Sequence, residues 1–265
     1  MDLLLTKDLV EKELRELGTF ALKNFGNTFI NNKKSNRDFT TKIDVEIESR
    51  FSDFVKKNFP DQGFIGEEIP ALNNKEEYFW AIDPIDGTKN YARDIPLWCI
   101  TIALVRNNEP LIGFIFNPVS DQMYIGIKSQ GAYLNGKKLT IKNDKELTDS
   151  QAVIDIPITP EMYLVNGQIL DKLNSILNRS FYRVRNVGSG ALSLAWLSQG
   201  MFSIYIDLFK PNDKLVDVYA GRLISQEAGA EIYNLKFIDM NYNASIIGSK
   251  KNVDNVKNMI DKILQ

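Results

Sequence analysis

The chain has 265 residues, of which 44% are hydrophobic and 25% are charged, a composition that is ordinary for a soluble globular protein. Its 32 basic and 34 acidic residues give a net charge of −2, which excludes the basic surface typical of a nucleic-acid-binding protein. The sequence contains no histidine, so Ser-His-Asp and Cys-His catalytic sites and histidine-ligated zinc are excluded. Any hydrolysis must therefore use carboxylates, hydroxyls and metal ions.

Two features of the sequence concern where the protein is found. No apolar stretch reaches the ~18 residues that a membrane span needs, and residues 1–5 lack the basic start of a signal peptide. We therefore expect a cytoplasmic protein without a membrane partner. The one cysteine, Cys99, lies in an apolar run, so we expect a buried thiol and no disulfide within the chain.

The first half of the chain combines two helices with a run of strands. Apolar residues at helical spacing predict the helices, and the second is capped by Thr40 or Thr41 and ends before Pro60. The polar stretch between the helices predicts a loop with a short strand around residues 28–30. Asn-Gly at 135 and 136 predicts a hairpin. The first predicted helix spans residues 4–24, and the predicted strands span residues 64–65, 78–82, 100–105, 111–117 and 123–127.

In the second half of the chain strands and helices alternate, which predicts a βαβ-type unit. The polar stretch at residues 143–150 marks the expected boundary between two lobes of one compact unit, residues 1–147 and 148–265. The predicted strands span residues 152–156, 182–187, 202–206 and 244–247, and the predicted helices span residues 161–177, 191–199, 214–228 and 252–264.

A pair of carboxylates follows the predicted strand that ends at Ile82. Pro84 lacks an N–H group, so we expect the strand to stop there and the Ile85 carbonyl to point the same way as Asp83 and Asp86. Two close carboxylates disfavour each other's charge unless a cation lies between them. Oxygen ligands suit Mg²⁺ or Mn²⁺ better than zinc or copper. The sequence therefore predicts an oxygen-ligated metal site here.

Two glycine-containing turns could bind an anion beside these acids. Gly87 and Thr88 offer backbone N–H groups and a hydroxyl at the start of a predicted short helix. Gly188, Ser189 and Gly190 leave a predicted strand and open a predicted helix, so their N–H groups and hydroxyl could bind a phosphate or a hydroxyl ligand. A metal ion and an oxyanion could meet at such a place.

Each acid also has a simpler explanation. Asp83 and Asp86 could form an Asp-Pro turn in which Asp86 caps the next helix. Asp44, in the first turn of its helix, could only complement the helix dipole. Glu67 and Glu68 could be solvated acids after a short strand. These explanations stay open on the residues alone.

Three motifs together resemble the inositol monophosphatase family of metal-dependent, lithium-sensitive phosphatases. They are the acids at 67 and 68, the run Trp-Ala-Ile-Asp-Pro-Ile-Asp-Gly-Thr-Lys-Asn-Tyr at 80–91, and Asp-Val-Tyr-Ala-Gly at 217–221. The resemblance covers almost the whole chain, although Val216 stands where the family usually has tryptophan. It implies a layered αβαβα sandwich of the inositol monophosphatase and fructose-1,6-bisphosphatase type, of class α+β or α/β. The N-terminal lobe would carry the main metal site, and the C-terminal lobe would complete it.

The resemblance also implies a role for each site residue. Asp44 and Thr88 would orient the attacking water, and Asp207 would bind a substrate hydroxyl. The implied metal ligands are Glu67, Asp83, the Ile85 carbonyl, Asp86 and Asp217. The implied catalytic residues are Thr88, Asp44 and Glu67. The implied substrate-binding residues are Gly87, Thr88, Gly188, Ser189, Gly190 and Asp207.

This resemblance predicts Mg²⁺-dependent hydrolysis of a small phosphate monoester, with inositol monophosphate as the leading substrate. Such esters need up to ~10²¹-fold acceleration, and two or three Mg²⁺ ions, or Mn²⁺, would supply charge stabilisation and an activated water. The same chemistry could act on 3′-phosphoadenosine 5′-phosphate, NADP or fructose 1,6-bisphosphate. A non-catalytic divalent-cation-binding protein is the alternative of another class. The resemblance further implies a homodimer.

Overall fold

The computed structural model describes residues 2–27, 30–33, 39–72, 76–141, 145–155, 160–211, 216, 218–236 and 242–264. The helices are α1 (Leu3–Asn24), α2 (Lys42–Asn58), α3 (Thr88–Tyr91), α4 (Pro160–Ser180), α5 (Gly190–Ser198), α6 (Tyr219–Glu227) and α7 (Lys250–Leu264). Within these described ranges no helix has the length and apolar character that crossing a bilayer requires.

The strands form two main sheets and one short ladder. The short ladder is β1 (Ile30–Lys33) with β2 (Phe39–Thr41). The first sheet has seven strands in chain order: β3 (Gly63–Ile65), β4 (Tyr78–Asp86), β5 (Cys99–Arg106), β6 (Glu109–Asn117), β7 (Gln122–Ile127), β8 (Gly131–Leu134) and β9 (Lys137–Lys138). The second sheet has five strands: β10 (Gln151–Asp155), β11 (Arg183–Arg185), β12 (Ile204–Pro211), β13 (Glu231–Lys236) and β14 (Tyr242–Gly248).

Helices and sheets stack in the order αβαβα. Helices α1 and α2 share a core with one face of the first sheet, and α5 and α6 pack on its other face. Helix α5 also packs on the second sheet, whose outer face is covered by α4 and α7. Almost every residue of α5 is buried, as expected for a helix held between two sheets. The layered sandwich predicted from the resemblance is confirmed.

The first sheet is an antiparallel meander apart from the parallel pair β3 and β4. Apart from the end of β4, its predicted strands are confirmed, and so is the hairpin, which turns on Asn135 (φ 47°) and Gly136 (φ 77°), as a two-residue loop of this kind requires. The short strand expected around residues 28–30 is found at Ile30–Lys33, and residues 28 and 29 lie outside the described part of the chain.

One strand prediction is wrong. We expected a strand at residues 78–82 that stops at Pro84, but β4 continues to Asp86. Asp83 pairs with Thr101 and Asp86 pairs with Cys99, so β4 contains one more residue than β5 between these two pairs. Such a bulge leaves a residue out of the ladder, which accommodates a proline without an N–H group. The bulge therefore keeps both carboxylates on the strand.

Helix α6 lies directly on the first sheet. A Cβ on Gly113 would come within 2.7 Å of the Ala220 Cα, and one on Gly126 within 2.9 Å of the Ile224 Cα. These two glycines are cross-strand partners, so together they make room for the helix backbone. The helix begins at Tyr219, and the predicted start at residue 214 lies outside the described residues. Among the described residues no side chain caps its first turn, so apolar spacing alone could not mark the start.

The second sheet has the order β11-β10-β12-β14-β13. Strand β10 runs parallel to both neighbours, which confirms the predicted βαβ-type unit. Strand β13 was not predicted, because Glu231–Lys236 has no strict alternation of polar and apolar residues, although Ile232 and Tyr233 are residue types that favour strands. The expected lobe boundary between residues 147 and 148 falls in a short 3₁₀ helix, Leu147–Asp149, and stays a prediction.

Candidate active site

The end of β4 brings several oxygen atoms together. Asp83 is buried and follows Phe79 and Ala81 on the sheet face that packs against α5 and α6. Its Oδ1 accepts a 3.0 Å hydrogen bond from the Ile85 N–H group. The Ile85 carbonyl accepts a 2.9 Å bond from the Thr88 hydroxyl. The bulge therefore places the Ile85 N–H group against Asp83 and the Ile85 carbonyl against Thr88, and the joint use of Asp83 and that carbonyl as metal ligands stays a prediction.

Asp86 is tied to the start of helix α5. Its Oδ2 accepts a 2.5 Å hydrogen bond from the Ser189 hydroxyl and a 2.7 Å bond from the Ala191 N–H group. A carboxylate at a helix N-terminus also interacts favourably with the helix dipole. Ser189, which we expected on the alcohol side of a substrate, caps α5 and directs its hydroxyl to Asp86.

Cys99 lies beside the same carboxylate and is completely buried. Its sulfur is 3.8 Å from both Asp86 Oδ2 and Ser189 Oγ. Burial raises the pKa of the Cys99 thiol, and the negative charges of Asp86 and Asp83 raise it further. The raised pKa favours the protonated thiol at neutral pH, and the expectation of a buried thiol is confirmed.

Thr88 lies between the bulge and helix α2. Its hydroxyl is 3.5 Å from Asp44 Oδ1 in addition to its bond to the Ile85 carbonyl. One proton can serve only one acceptor at a time, so the shorter bond takes it. Gly87 precedes Thr88 with φ +97°, and a Cβ there would lie 2.8 Å from the Leu97 carbonyl oxygen, so the turn requires glycine.

Asp44 is 2% exposed and stands at the third position of α2. Burial raises its pKa from 3.8 to about 6, the Thr41 hydroxyl and N–H group oppose that rise by donating hydrogen bonds, and the charge of Glu68 adds to it. Asp44 also completes a capping box with Thr41, whose N–H group lies 3.0 Å from Asp44 Oδ2. The same residue therefore caps the helix and faces Thr88.

Glu67 lies on a turn that a second buried acid holds. Glu48 is fully buried on α2, and its carboxylate accepts hydrogen bonds from the N–H groups of Glu67 at 3.1 Å, Glu68 at 2.9 Å and Ile69 at 2.9 Å. Burial raises the pKa of Glu48 to about 7, while these donors pull it down. Sequence reasoning missed Glu48, although an acid between the buried positions of an amphipathic helix was a usable signal.

Asn90 links the two glycine-containing turns. Its Nδ2 group donates a 2.7 Å bond to the Leu97 carbonyl and a 2.9 Å bond to the Val187 carbonyl. Gly188 follows Val187 with φ +71°, and a Cβ there would lie 3.3 Å from Asn90 Nδ2. Sequence reasoning assigned Asn90 no role, yet it fixes the turn at residues 188–190 against α3.

The predicted substrate residue Asp207 is buried on β12. Burial lowers the pKa of Arg222, and the charge of Asp207 opposes that lowering. The Tyr205 hydroxyl is buried and has no hydrogen-bond partner among the described residues. Gly190 lies close by, because its Cβ would be 3.3 Å from that hydroxyl and 3.5 Å from Asp155 Oδ2. Asp207 thus belongs to a polar group of the second sheet that borders the start of α5.

The carboxylate and carbonyl oxygens at the end of β4 are the type of ligand that a hard cation such as Mg²⁺ prefers. In the described part of the chain no three Asp, Glu or Cys side chains are close enough together to hold an ion alone. Asp217, the ligand expected from the second half, lies outside the described residues. Mg²⁺ commonly uses only one or two carboxylates together with waters and substrate oxygens. The Thr101 hydroxyl is buried and has no hydrogen-bond partner among the described residues. Thr101 is the cross-strand neighbour of Asp83. A buried hydroxyl without a partner at this position fits a site that a hydrated ion completes.

Comparison with known proteins gives a consistent result. Residues 7–253 match the model of the inositol monophosphatase family. The chain is 32% identical over 254 residues to a fructose-1,6-bisphosphatase/inositol-1-monophosphatase of Aquifex aeolicus, covering 94% of this chain and 92% of that protein. It is 33% identical over 208 residues to the Nus factor SuhB of Xylella fastidiosa, covering 78% of this chain and 73% of that protein.

The fold is also similar to solved structures. The crystal structure of the extragenic suppressor protein suhB from Bartonella henselae superposes with a TM-score of 0.87 at 21% identity, covering 97% of this chain and 99% of that one. A Thermotoga maritima IMPase superposes with a TM-score of 0.84 at 24% identity, covering 100% of this chain and 98% of that one. At these identities the likeness supports the fold alone.

Proposed function

Because the chain belongs to the inositol monophosphatase family, whose members are phosphatases, we propose that it is a Mg²⁺-dependent phosphatase of small phosphate monoesters. The observation that carries this proposal is the pairing of the Thr88 hydroxyl with Asp44, 3.5 Å apart, beside the oxygen donors of the β4 bulge. The hydroxyl bonds to the Ile85 carbonyl and lies within reach of the buried aspartate, and a site that only bound a cation would have no use for this placement.

Each residue has a role in the proposed reaction. The N–H groups of Gly87 and Thr88 bind oxygens of the phosphate. Asp44 accepts a hydrogen bond and, with Thr88, holds the attacking water in line with the ester bond. When bound, Mg²⁺ would supply a water of lowered pKa and would neutralise charge on the leaving oxygen. The residues proposed to hold two or three such ions, with Mn²⁺ as a substitute, are Glu67, Asp83, the Ile85 carbonyl, Asp86 and Asp217.

Inositol monophosphate is the proposed substrate, and residues 188–190 with Asp207 are proposed to contact its alcohol part. The relative from Aquifex aeolicus is named for both fructose 1,6-bisphosphate and inositol 1-phosphate. Fructose 1,6-bisphosphate therefore remains the nearest alternative, followed by 3′-phosphoadenosine 5′-phosphate and NADP. All four share a phosphate monoester, so the same groups would act on each.

The test is phosphate release with Mg²⁺ from each of these four esters, repeated with EDTA and with lithium. We expect one ester to dominate by kcat/KM, and we expect both EDTA and lithium to stop its hydrolysis. The Asp86→Asn variant serves as the matched inactive control. If no ester releases phosphate in a metal-dependent way, the phosphatase proposal is lost and a non-catalytic cation-binding protein takes its place.

The proposal extends to assembly and location. The family resemblance implies a homodimer, and the sequence predicts a cytoplasmic location. Sedimentation tests the first point and cell fractionation tests the second. A monomer at working concentrations would remove the dimer without affecting the proposed chemistry.

A further inference from the structure

Glu48 is a buried acid for which the proposed reaction has no step. Its residue exposure is 0%, and it lies four positions after Asp44 in helix α2. Residues at this spacing lie on the same helix face, about 6 Å apart. One face of α2 therefore presents Asp44 to Thr88 and Glu48 to the turn that carries Glu67.

Three successive N–H groups of that turn converge on the Glu48 carboxylate. Oε2 accepts from Glu67 at 3.1 Å and from Glu68 at 2.9 Å, and Oε1 accepts from Ile69 at 2.9 Å. Such an arrangement of backbone donors resembles the concave nests that bind anions, and here a side chain of the same chain fills it. The backbone of residues 67–69 is thus fixed to α2 by three hydrogen bonds to one carboxyl group.

Gly66 indicates how closely the turn is wrapped around this carboxylate. A Cβ at position 66 would lie 2.0 Å from Glu48 Oε1 and 2.2 Å from Glu48 Cδ, which no packing adjustment of a fixed carboxylate accommodates. The turn and the carboxylate are therefore fitted to each other.

Burying a carboxylate is costly, and an apolar side chain with a solvated turn would be the cheaper way to pack α2. The partly exposed residues 67 and 68 could have bound water through their N–H groups. A role in positioning the turn therefore explains the burial of Glu48 better than a contribution to the stability of the fold does.

We propose that Glu48 is a positioning residue that holds Glu67 at a fixed place relative to Asp44. Glu48 touches neither substrate nor metal ion; it acts through the backbone of Glu67, a proposed ligand. Helix α2 is the rigid element that joins the two, since Ile47 and Phe51 anchor it in the core. This inference rests on the proposed function, in which Glu67 is a metal ligand. Measurements of metal binding alone are enough to test it.

The test compares Glu48→Gln with Glu46→Gln. Glu46 lies on the exposed side of α2, where it pairs with Arg50 at 2.7 Å, so it is a matched control for removing one charge from this helix. A glutamine at position 48 replaces one acceptor oxygen by an NH₂ group that faces an N–H donor. Mn²⁺ binding is measured by electron paramagnetic resonance, amide hydrogen exchange is followed at residues 67–69, and turnover is measured as a function of Mg²⁺.

We expect Glu48→Gln to weaken Mn²⁺ binding about 10–100-fold, as loss of a group that orients a ligand does. Its half-saturating Mg²⁺ should rise in parallel, and amide exchange at residues 67–69 should quicken, while Glu46→Gln behaves as wild type. Glu48→Asp keeps the charge and should give an intermediate loss; it decides the matter if the glutamine variant does not fold.

The possible failures are distinguishable. Wild-type Mn²⁺ affinity in a folded Glu48→Gln or Glu48→Asp protein overturns the inference, even if its melting temperature falls, because a purely structural role predicts that pattern. If wild-type protein binds Mn²⁺ but hydrolyses no ester, the proposed function is overturned. The effect of Glu48 on Mn²⁺ affinity can then still be measured. Wild-type protein that binds no Mn²⁺ overturns both.

Discussion

Ser189 donates a 2.5 Å hydrogen bond to Asp86, although 103 residues separate the two in the chain. Asp86 ends a strand of the first sheet, and Ser189 caps the helix that lies between the two sheets. The N–H group of Ala191 adds a second bond to the same oxygen. The position of this proposed ligand therefore depends on how the two halves of the chain pack together.

The first prediction concerns this bond. Ser189→Ala removes the donor and leaves a charged acceptor partly unsatisfied, so we expect a loss of about 1.5–3 kcal/mol in the free energy of unfolding and a fall in turnover. Ser193→Ala is the control, since among the described residues the buried Ser193 hydroxyl donates to the backbone carbonyl of Ser189, a group that Ser189→Ala keeps. Urea unfolding and phosphate release measure both variants. Equal stability of the two would contradict the importance of the Ser189 bond.

The second prediction concerns the charge of Asp86. Asp86→Asn keeps an oxygen that can accept from Ser189 and Ala191 but removes the negative charge, so the fold should survive while metal affinity and turnover fall at least about 100-fold. Circular dichroism checks the fold, and phosphate release over a range of Mg²⁺ checks the site. Full activity in a folded Asp86→Asn protein would rule out Asp86 as a metal ligand.

The third prediction separates activation from binding at Thr88. Thr88→Ala should lower kcat about 10²–10⁴-fold with a much smaller change in KM, because the hydroxyl is proposed to act on the attacking water. Thr88→Ser keeps the hydroxyl and should retain most of the activity. Steady-state kinetics of both variants give the answer. A raised KM with unchanged kcat would mean that Thr88 binds substrate and does not activate water.

Much of the secondary structure could be predicted because it depends on the local spacing of apolar residues. Helix α1 and strands β5–β7 follow clean apolar patterns, and Thr41 supplies a capping side chain for α2. The continuation of β4 through Pro84 could not be predicted, because a bulge is defined by the partner strand. The start of α6 was missed because Val218 offers no capping group.

The site was predictable in its residue types and less so in its contacts. The acids and glycines at residues 83–88 could be identified as one oxygen-rich turn because they are adjacent in sequence. The bond between Ser189 and Asp86 and the contact of Glu48 with residues 67–69 join parts of the chain that only the fold brings together. The position of Glu48 between the buried residues of α2 was a usable signal for its burial, but the sequence could not show which backbone groups it would meet.

The fourth prediction is a pH dependence that originates at Asp44. In the metal-free fold its pKa rises from 3.8 to about 6, chiefly because the carboxyl is buried. The folded state therefore binds this proton more tightly than the unfolded state, and the resulting stabilisation is full below about pH 4 and is lost as the pH rises through 6. The shift corresponds to about 3 kcal/mol.

Asp44→Asn cannot titrate, so in EDTA its free energy of unfolding should rise relative to that of wild type by up to that amount between pH 4 and pH 7. Taking the difference between the two proteins cancels the titration of other groups, Glu48 included. Urea unfolding at four or five pH values measures it, and parallel profiles for the two proteins would show that Asp44 keeps an ordinary pKa in the fold.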